Sequence, residues 1–76
     1  MDPRRVVGNN VRKARALLGI SQEELAFRTG LHRTYISGVE RGVRNPTVLV
    51  LWDLATALNV AASTLLEEPV AEAGAK

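Results

Sequence analysis

The sequence predicts an all-α domain of five short helices. Three observations carry this. Apolar residues recur at helical spacing in the longer segments. Glycine, proline and capping residues fall where helices start and stop. No segment sustains the alternation of a strand, and there are no internal repeats. The chain has 76 residues, enough for one small domain with a modest core.

Helix 1 is expected over 3–18. Asp2 is a good N-cap and Pro3 suits the first helical position. Val7, Val11, Ala14 and Leu18 then share one face, and Gly19 ends the helix. Helix 2 is expected over 22–29. Ser21-Gln22-Glu23-Glu24 is a capping box, in which the serine hydroxyl and the glutamate three residues on satisfy free amides. Leu25 and Ala26 face inward, and Gly30 supplies the positive φ that ends the helix without strain. Leu31-His32 form the turn, although Asp or Ser would cap better than His32.

Helix 3 is expected over 33–41, anchored by Ile36 and Val39 and closed by Gly42. Pro46 bars a helix across the following loop. Thr47 caps helix 4, expected over 48–58, whose core stripe is Leu51, Leu54, Ala55 and Leu58. Asn59 suits a left-handed C-terminal position. A short helix 5 over 62–67 is expected to return Leu65 and Leu66 to the core. Residues 1–68 thus form the domain, and the small-residue tail 69–76 is expected to fray.

The net charge of +2 conceals a gradient along the chain. Residues 1–45 hold nine Arg/Lys against four Asp/Glu, whereas residues 46–76 hold one Lys against four acids. Eight of the ten cations are arginine, the side chain best matched to phosphates and guanine edges. A basic front half behind which an acidic half follows suggests one end presented to a polyanion, the alternative being ordinary surface charge.

Other classes fit poorly. With no cysteine there is neither a disulfide nor a thiolate metal site, and the lone histidine gives no support for a metal. The absence of cysteine fits a cytoplasmic protein. The longest apolar run, Val48 to Trp52, is far too short to span a bilayer, and Met1-Asp2-Pro3 does not begin a signal peptide. The acids are few and scattered and no glycine-rich phosphate loop exists, which argues against an enzyme. No cofactor and no small-molecule ligand are expected.

Helices 2 and 3 with their tight turn carry the functional expectation. In such a pair the first helix braces against the DNA backbone and the second enters the major groove near its N-terminus. With Ile36 and Val39 inward, Arg33, Thr34 and Ser37 project outward. Arginine can donate two hydrogen bonds to guanine, threonine can bond a base edge or pack against a thymine methyl, and serine is an adaptable short contact. Gln22 opens helix 2, where free amides favour a phosphate; its side chain can bond a phosphate or brace helix 3. Tyr35, Arg41 and Asn45 are further phosphate candidates, and Arg44 can reach a phosphate or a groove edge. Gly38 weakens helix 3, and a close backbone approach would explain it.

At these residues the chain resembles the phage-repressor and Cro helix-turn-helix family, also called Xre-like. The resemblance rests on Gly19 to Ala26, Gly30, Tyr35-Ile36-Ser37, Glu40-Arg41-Gly42, Asn45-Pro46, Leu54-Ala55 and Leu58, and spans about residues 4–67. Arg33 to Gly38 with Arg44-Asn45 look most like the small controller proteins of restriction–modification systems. The resemblance implies a compact five-helix fold with the helix-turn-helix at helices 2 and 3. It implies base reading by Arg33 and Thr34, a further groove position at Ser37, and base or minor-groove contact by Arg44. It implies backbone contacts by Gln22 and Tyr35, and a semi-buried Arg15–Glu40 ion pair tying helix 1 to helix 3. Many repressors carry Gln at positions 33 and 34, so their adenine reading does not transfer to Arg33 and Thr34.

Each role has a blander alternative. Arg33 competes with a phosphate contact or a solvated arginine, Thr34 with a phosphate contact, and Ser37 with an ordinary exposed serine. Tyr35 competes with a core position and Arg44 with a free loop charge. Glu40 on a DNA-facing helix would repel phosphate unless paired, and Arg12 rivals Arg15 as its partner.

Helix 4 is apolar almost all round, and Leu49 and Trp52 lie off its core stripe. A second apolar face on so small a domain suggests a homodimer interface. Trp52 also fits the core or a ligand pocket. Only a short tail follows helix 5, so the dimer contact is expected within the domain. The leading expectation is a dimeric, sequence-specific regulator of transcription acting on double-stranded DNA at a palindromic operator, its own promoter or a restriction–modification operon. The other is an antitoxin-like or co-regulator module that binds a protein.

Overall fold

The computed structural model describes residues 2–69. They form four α-helices and one 3₁₀ turn, with no strand among the described residues. The helices are α1 (Pro3–Leu18), α2 (Gln22–Thr29), α3 (Arg33–Glu40) and α4 (Val48–Leu58).

Caps set these ends. The Asp2 carboxylate accepts from Arg4 N–H at 2.9 Å, Ser21 Oγ from Glu24 N–H at 3.0 Å, and Thr47 Oγ1 from Val50 N–H at 3.2 Å. Each satisfies an amide that has no partner inside its helix. Gly19, Gly30 and Asn59 take left-handed conformations at the other ends, with φ of 71°, 74° and 62°. Helix α3 stops at Glu40, one residue before its expected end, because Arg41 is its C-cap and Gly42 turns the chain at φ 78°.

The expected fifth helix is a 3₁₀ element, Ala62–Leu66. Five residues cannot repay the cost of nucleating an α-helix, and the tighter turn suffices. Leu65 is fully buried, but Leu66 is 54% exposed, so only one of the two leucines expected in the core reaches it. The next-residue rotation of a three-fold turn sends neighbours to different sides. Leu18, also expected inside, is 41% exposed on the last turn of α1, and Leu51 is only half-buried. Of the tail 69–76, only Pro69 lies within the described residues.

All four α-helices and the 3₁₀ turn supply the core: Val7, Val11, Ala14, Leu25, Ile36, Val39, Leu54, Ala55, Leu58 and Leu65. Two further contacts fix α1 within it. Asn10 Nδ2 donates to Leu65 O at 2.9 Å and Glu67 O at 2.8 Å, which secures the 3₁₀ turn. Gly8 lets α1 touch the end of α3: a Cβ there would lie 2.7 Å from Glu40 O and closer still to Val39 O. The core thereby fixes the position of α3, whose opposite face remains free.

Candidate nucleic-acid interface

The turn presents the start of α3 to solvent. Ile36 and Val39 are 0% and 1% exposed, so Arg33 and Thr34 face outward and Ser37 lies half-buried beside them. The N-cap His32 makes no side-chain bond to the helix, so no side chain caps the first amides of α3. Those amides, with the positive end of the helix dipole, favour an anion.

A polar cluster centred on Glu40 holds this helix from behind. Its side chain is 2% exposed. Arg15 grips it side-on through one edge of its guanidinium: Nε donates to Oε2 at 2.7 Å and Nη2 to Oε1 at 3.0 Å. Arg15 Nη1 also donates to Ile20 O at 3.0 Å, in the turn before α2. Arg12, the rival partner, joins rather than replaces it: Nη2 donates to the Glu40 carbonyl at 2.9 Å, and Nε lies 3.8 Å from Oε1. Burial pushes the Glu40 carboxyl pKa up. The hydrogen bonds from Arg15 and Gln22 and the charges of Arg15 and Arg12 outweigh it, and the net shift is downward. The same bond to Glu40 raises the Arg15 pKa against the opposing effect of burial.

Gln22 carries this order outward. Its Nε2 donates to Glu40 Oε1 at 3.0 Å, and its Oε1 accepts from Arg33 Nη1 at 3.3 Å. The side chain therefore braces α3. Gln22, Arg15, Ser21, Glu23 and Arg33 also line one recess at the start of α2, so its amides remain beside the same surface.

The loop after α3 folds back along that helix. Val43 N–H donates to Gly38 O at 3.0 Å. Arg44 is exposed, and its guanidinium carbon lies 5.6 Å from the centroid of the Tyr35 ring, within cation–π range. The Tyr35 ring is half-buried against the core. Arg41 and Asn45 are exposed in the same loop. Gly38 is buried, and the space over it belongs to the Arg44 side chain. The close approach there is made by this chain's own arginine stem.

On α4, Leu49 and Trp52 are 77% and 63% exposed. Trp52 is therefore not a core residue. It forms one wall of a groove that runs to Val60, Ala61, Ala62 and Ser63. Val48 is exposed on the same helix. Among the described residues no helix is long and apolar enough to cross a membrane, and no three His, Cys, Asp or Glu cluster as metal ligands would.

Comparison with known proteins agrees with this arrangement. The helix-turn-helix family profile HTH_3 matches residues 11–65. The control protein C.SmaI of Serratia marcescens is 48% identical over 66 residues, covering 87% of this chain and 79% of that protein. The crystal structure of the hypothetical transcription factor NHTF from Neisseria superposes with a TM-score of 0.86 at 47% identity, covering 90% of this chain and 78% of that one. The restriction–modification controller C.Esp1396I, solved as a tetramer in complex with its natural 35 base-pair operator, superposes with a TM-score of 0.77 at 35% identity, covering 86% of each chain. The chain belongs to the Xre-like helix-turn-helix family, which includes the control proteins of restriction–modification systems.

Proposed function

We propose that this protein is a sequence-specific DNA-binding regulator of transcription that acts as a homodimer on a palindromic operator. The observation that carries the reading is the exposed start of α3, with Arg33 and Thr34 outermost, held from behind by the buried Glu40. A helix locked in this way enters a major groove with little ordering left to do on binding. The relatives support the same reading, since one of them was solved on its operator and another is a control protein.

In this reading Arg33 and Thr34 contact base edges, with Ser37 and Arg44 beside them. Gln22, Tyr35, Arg41 and Asn45 contact phosphates: Gln22 through the amides at the start of α2, since its side chain braces Glu40 and Arg33. Leu49 and Trp52 form the dimer contact, and residues 1–68 act as one DNA-binding and dimerisation unit. Two copies reading half-sites about one helical turn apart, ~34 Å, give a site long enough to be specific. It controls a restriction–modification operon or its own promoter, in the cytoplasm of a bacterial cell.

The test is selection of bound duplexes from random DNA, followed by titration of the selected site across salt concentrations. A two-fold-symmetric site and a steep fall of log K with log salt are expected. Equal binding to scrambled duplexes, or a flat salt response, contradicts the reading and favours a protein partner.

A further inference from the structure

We propose that Gly38 is a positioning residue that seats Arg44 across α3 for its DNA contact, so that the base preference Arg44 confers depends on a missing side chain six positions away. This deepens the regulator reading and rests on it.

Three features meet at this place. The first is the notch. A Cβ on Gly38 would lie 2.7 Å from Arg44 Cγ, closer than packed atoms come, and a tight 3.2 Å from Arg44 Nε. The conflict falls on the middle of the arginine stem and not on its tip, so bending the end of the side chain does not relieve it. The second is the loop closure: Val43 N–H bonds Gly38 O at 3.0 Å, which holds the residue before Arg44 against the same helical turn. The third is the landing point. The guanidinium carbon sits 5.6 Å from the centre of the Tyr35 ring, one turn nearer the start of α3.

Glycine in the middle of an eight-residue helix lowers helix propensity relative to alanine. Its φ is not left-handed, so no turn requires it. What it provides is a path. Arg44 leaves the loop beyond the end of α3, crosses the helix over Gly38 and brings its guanidinium within cation–π range of Tyr35. Its charge thereby lies alongside the exposed face that carries Arg33, Thr34 and Ser37. Placed over a half-buried ring, the guanidinium makes no hydrogen bond among the described residues and keeps its donors for a base or a phosphate. With a methyl group at position 38, the stem must lift off the helix and Arg44 returns to being a mobile loop charge.

The experiment compares the wild-type chain with Gly38→Ala, Arg44→Ala and the double variant. In free protein, NMR should show Arg44 side-chain methylene protons shifted upfield by the Tyr35 ring, and Gly38→Ala should abolish that shift. On the selected operator, Gly38→Ala and Arg44→Ala should each lose about tenfold in affinity, with the same change in base preference. The double variant should lose no more than either single one, because both remove one contact. Gly38→Ala should melt no earlier than wild type. If it unfolds instead, adding Arg44→Ala must restore folding, since the conflicting stem is gone. An unchanged ring shift, multiplied losses, full affinity in either single variant, or a double variant that stays unfolded overturns the proposal. If the wild-type chain binds no duplex, the regulator reading itself falls. If it binds but the shift or the shared loss is missing, only the role of Gly38 falls.

Discussion

Arg33 donates to Gln22 across the turn, Nη1 to Oε1 at 3.3 Å, although the two residues lie on different helices and eleven positions apart. The bond is the outer end of a chain that starts at buried Glu40 and passes through the two polar atoms of the Gln22 amide. One face of the chain is fixed by Arg15 and the other reaches solvent at Arg33. The arginine on the exposed face is thus tied to the packed interior through a single amide.

Gln22→Ala should therefore act on binding through Arg33. With the brace gone, ordering the arginine is deferred to the moment of binding, which weakens operator affinity by ~1 kcal/mol, about fivefold. The fold should lose a similar ~1 kcal/mol through the Gln22–Glu40 bond. Anisotropy titration and thermal melts measure the two effects, and an unchanged affinity would show that Arg33 is not held by Gln22.

Glu40→Gln should cost more stability than any change at the exposed residues Arg33, Thr34 and Arg44. It leaves Arg15 and Arg12 facing a neutral group in a site where the carboxylate is 2% exposed, and breaking a buried pair costs ~3–5 kcal/mol. Arg15 and Arg12 are partly open to solvent, so we expect the lower end of that range, ~3 kcal/mol. Urea melts of the variant and of wild type check it.

The same cluster sets an acid limit. The Glu40 pKa lies below its ordinary value of 4.5 in the folded chain. A carboxyl bound more tightly as the anion contributes fully above the unfolded pKa and loses that contribution as pH falls through the lower folded value. Stability should thus be level above about pH 5 and fall below pH 4.5, and Glu40→Gln should flatten this part of the fall. Equal acid sensitivity in both proteins would assign the loss to other carboxyls.

Trp52→Ala and Leu49→Ala should separate association from folding. Both side chains are mostly exposed in the single chain, so each change should alter its stability by no more than ~0.5 kcal/mol. If α4 forms the dimer contact, each should raise the dimer dissociation constant about tenfold or more, since buried aromatic and aliphatic anchors dominate such interfaces. Sedimentation equilibrium reads the dissociation constant. An unaltered constant would move the interface elsewhere.

Much of this was legible in the sequence, and the places where it was not have physical causes. Capping residues act on their immediate neighbours, so Asp2, Ser21, Thr47 and Asn59 mark helix ends from local chemistry alone. The packed faces of α2 and α3 follow from period. Leu18 and Leu66 share that period or run and yet stay exposed, because whether an end residue is covered depends on what packs opposite it. Gly8 gives the signal of a glycine within a helix, but nothing local says what approaches it: the last carbonyls of α3, distant in sequence, fill the space. Gly38 did give a signal, a glycine within a helix, but the group that fills the space comes from the loop beyond the helix. Arg12 and Arg15 could not be ranked as partners of Glu40 from spacing, and the structure shows why: both reach it, Arg15 by two hydrogen bonds to the carboxylate, Arg12 by one to the carbonyl and a looser approach to the carboxylate.

The central claim is that Arg33 reads sequence from the start of α3. The most direct measurement is the affinity of wild type and Arg33→Ala for the selected operator and for a panel of its single-base variants. Arg33→Ala should cost ~1–3 kcal/mol on the operator and erase base preference at one position in each half-site, leaving the other positions as discriminating as before. An equal loss on every duplex in the panel, with the preference intact, would contradict the claim and make Arg33 a phosphate contact.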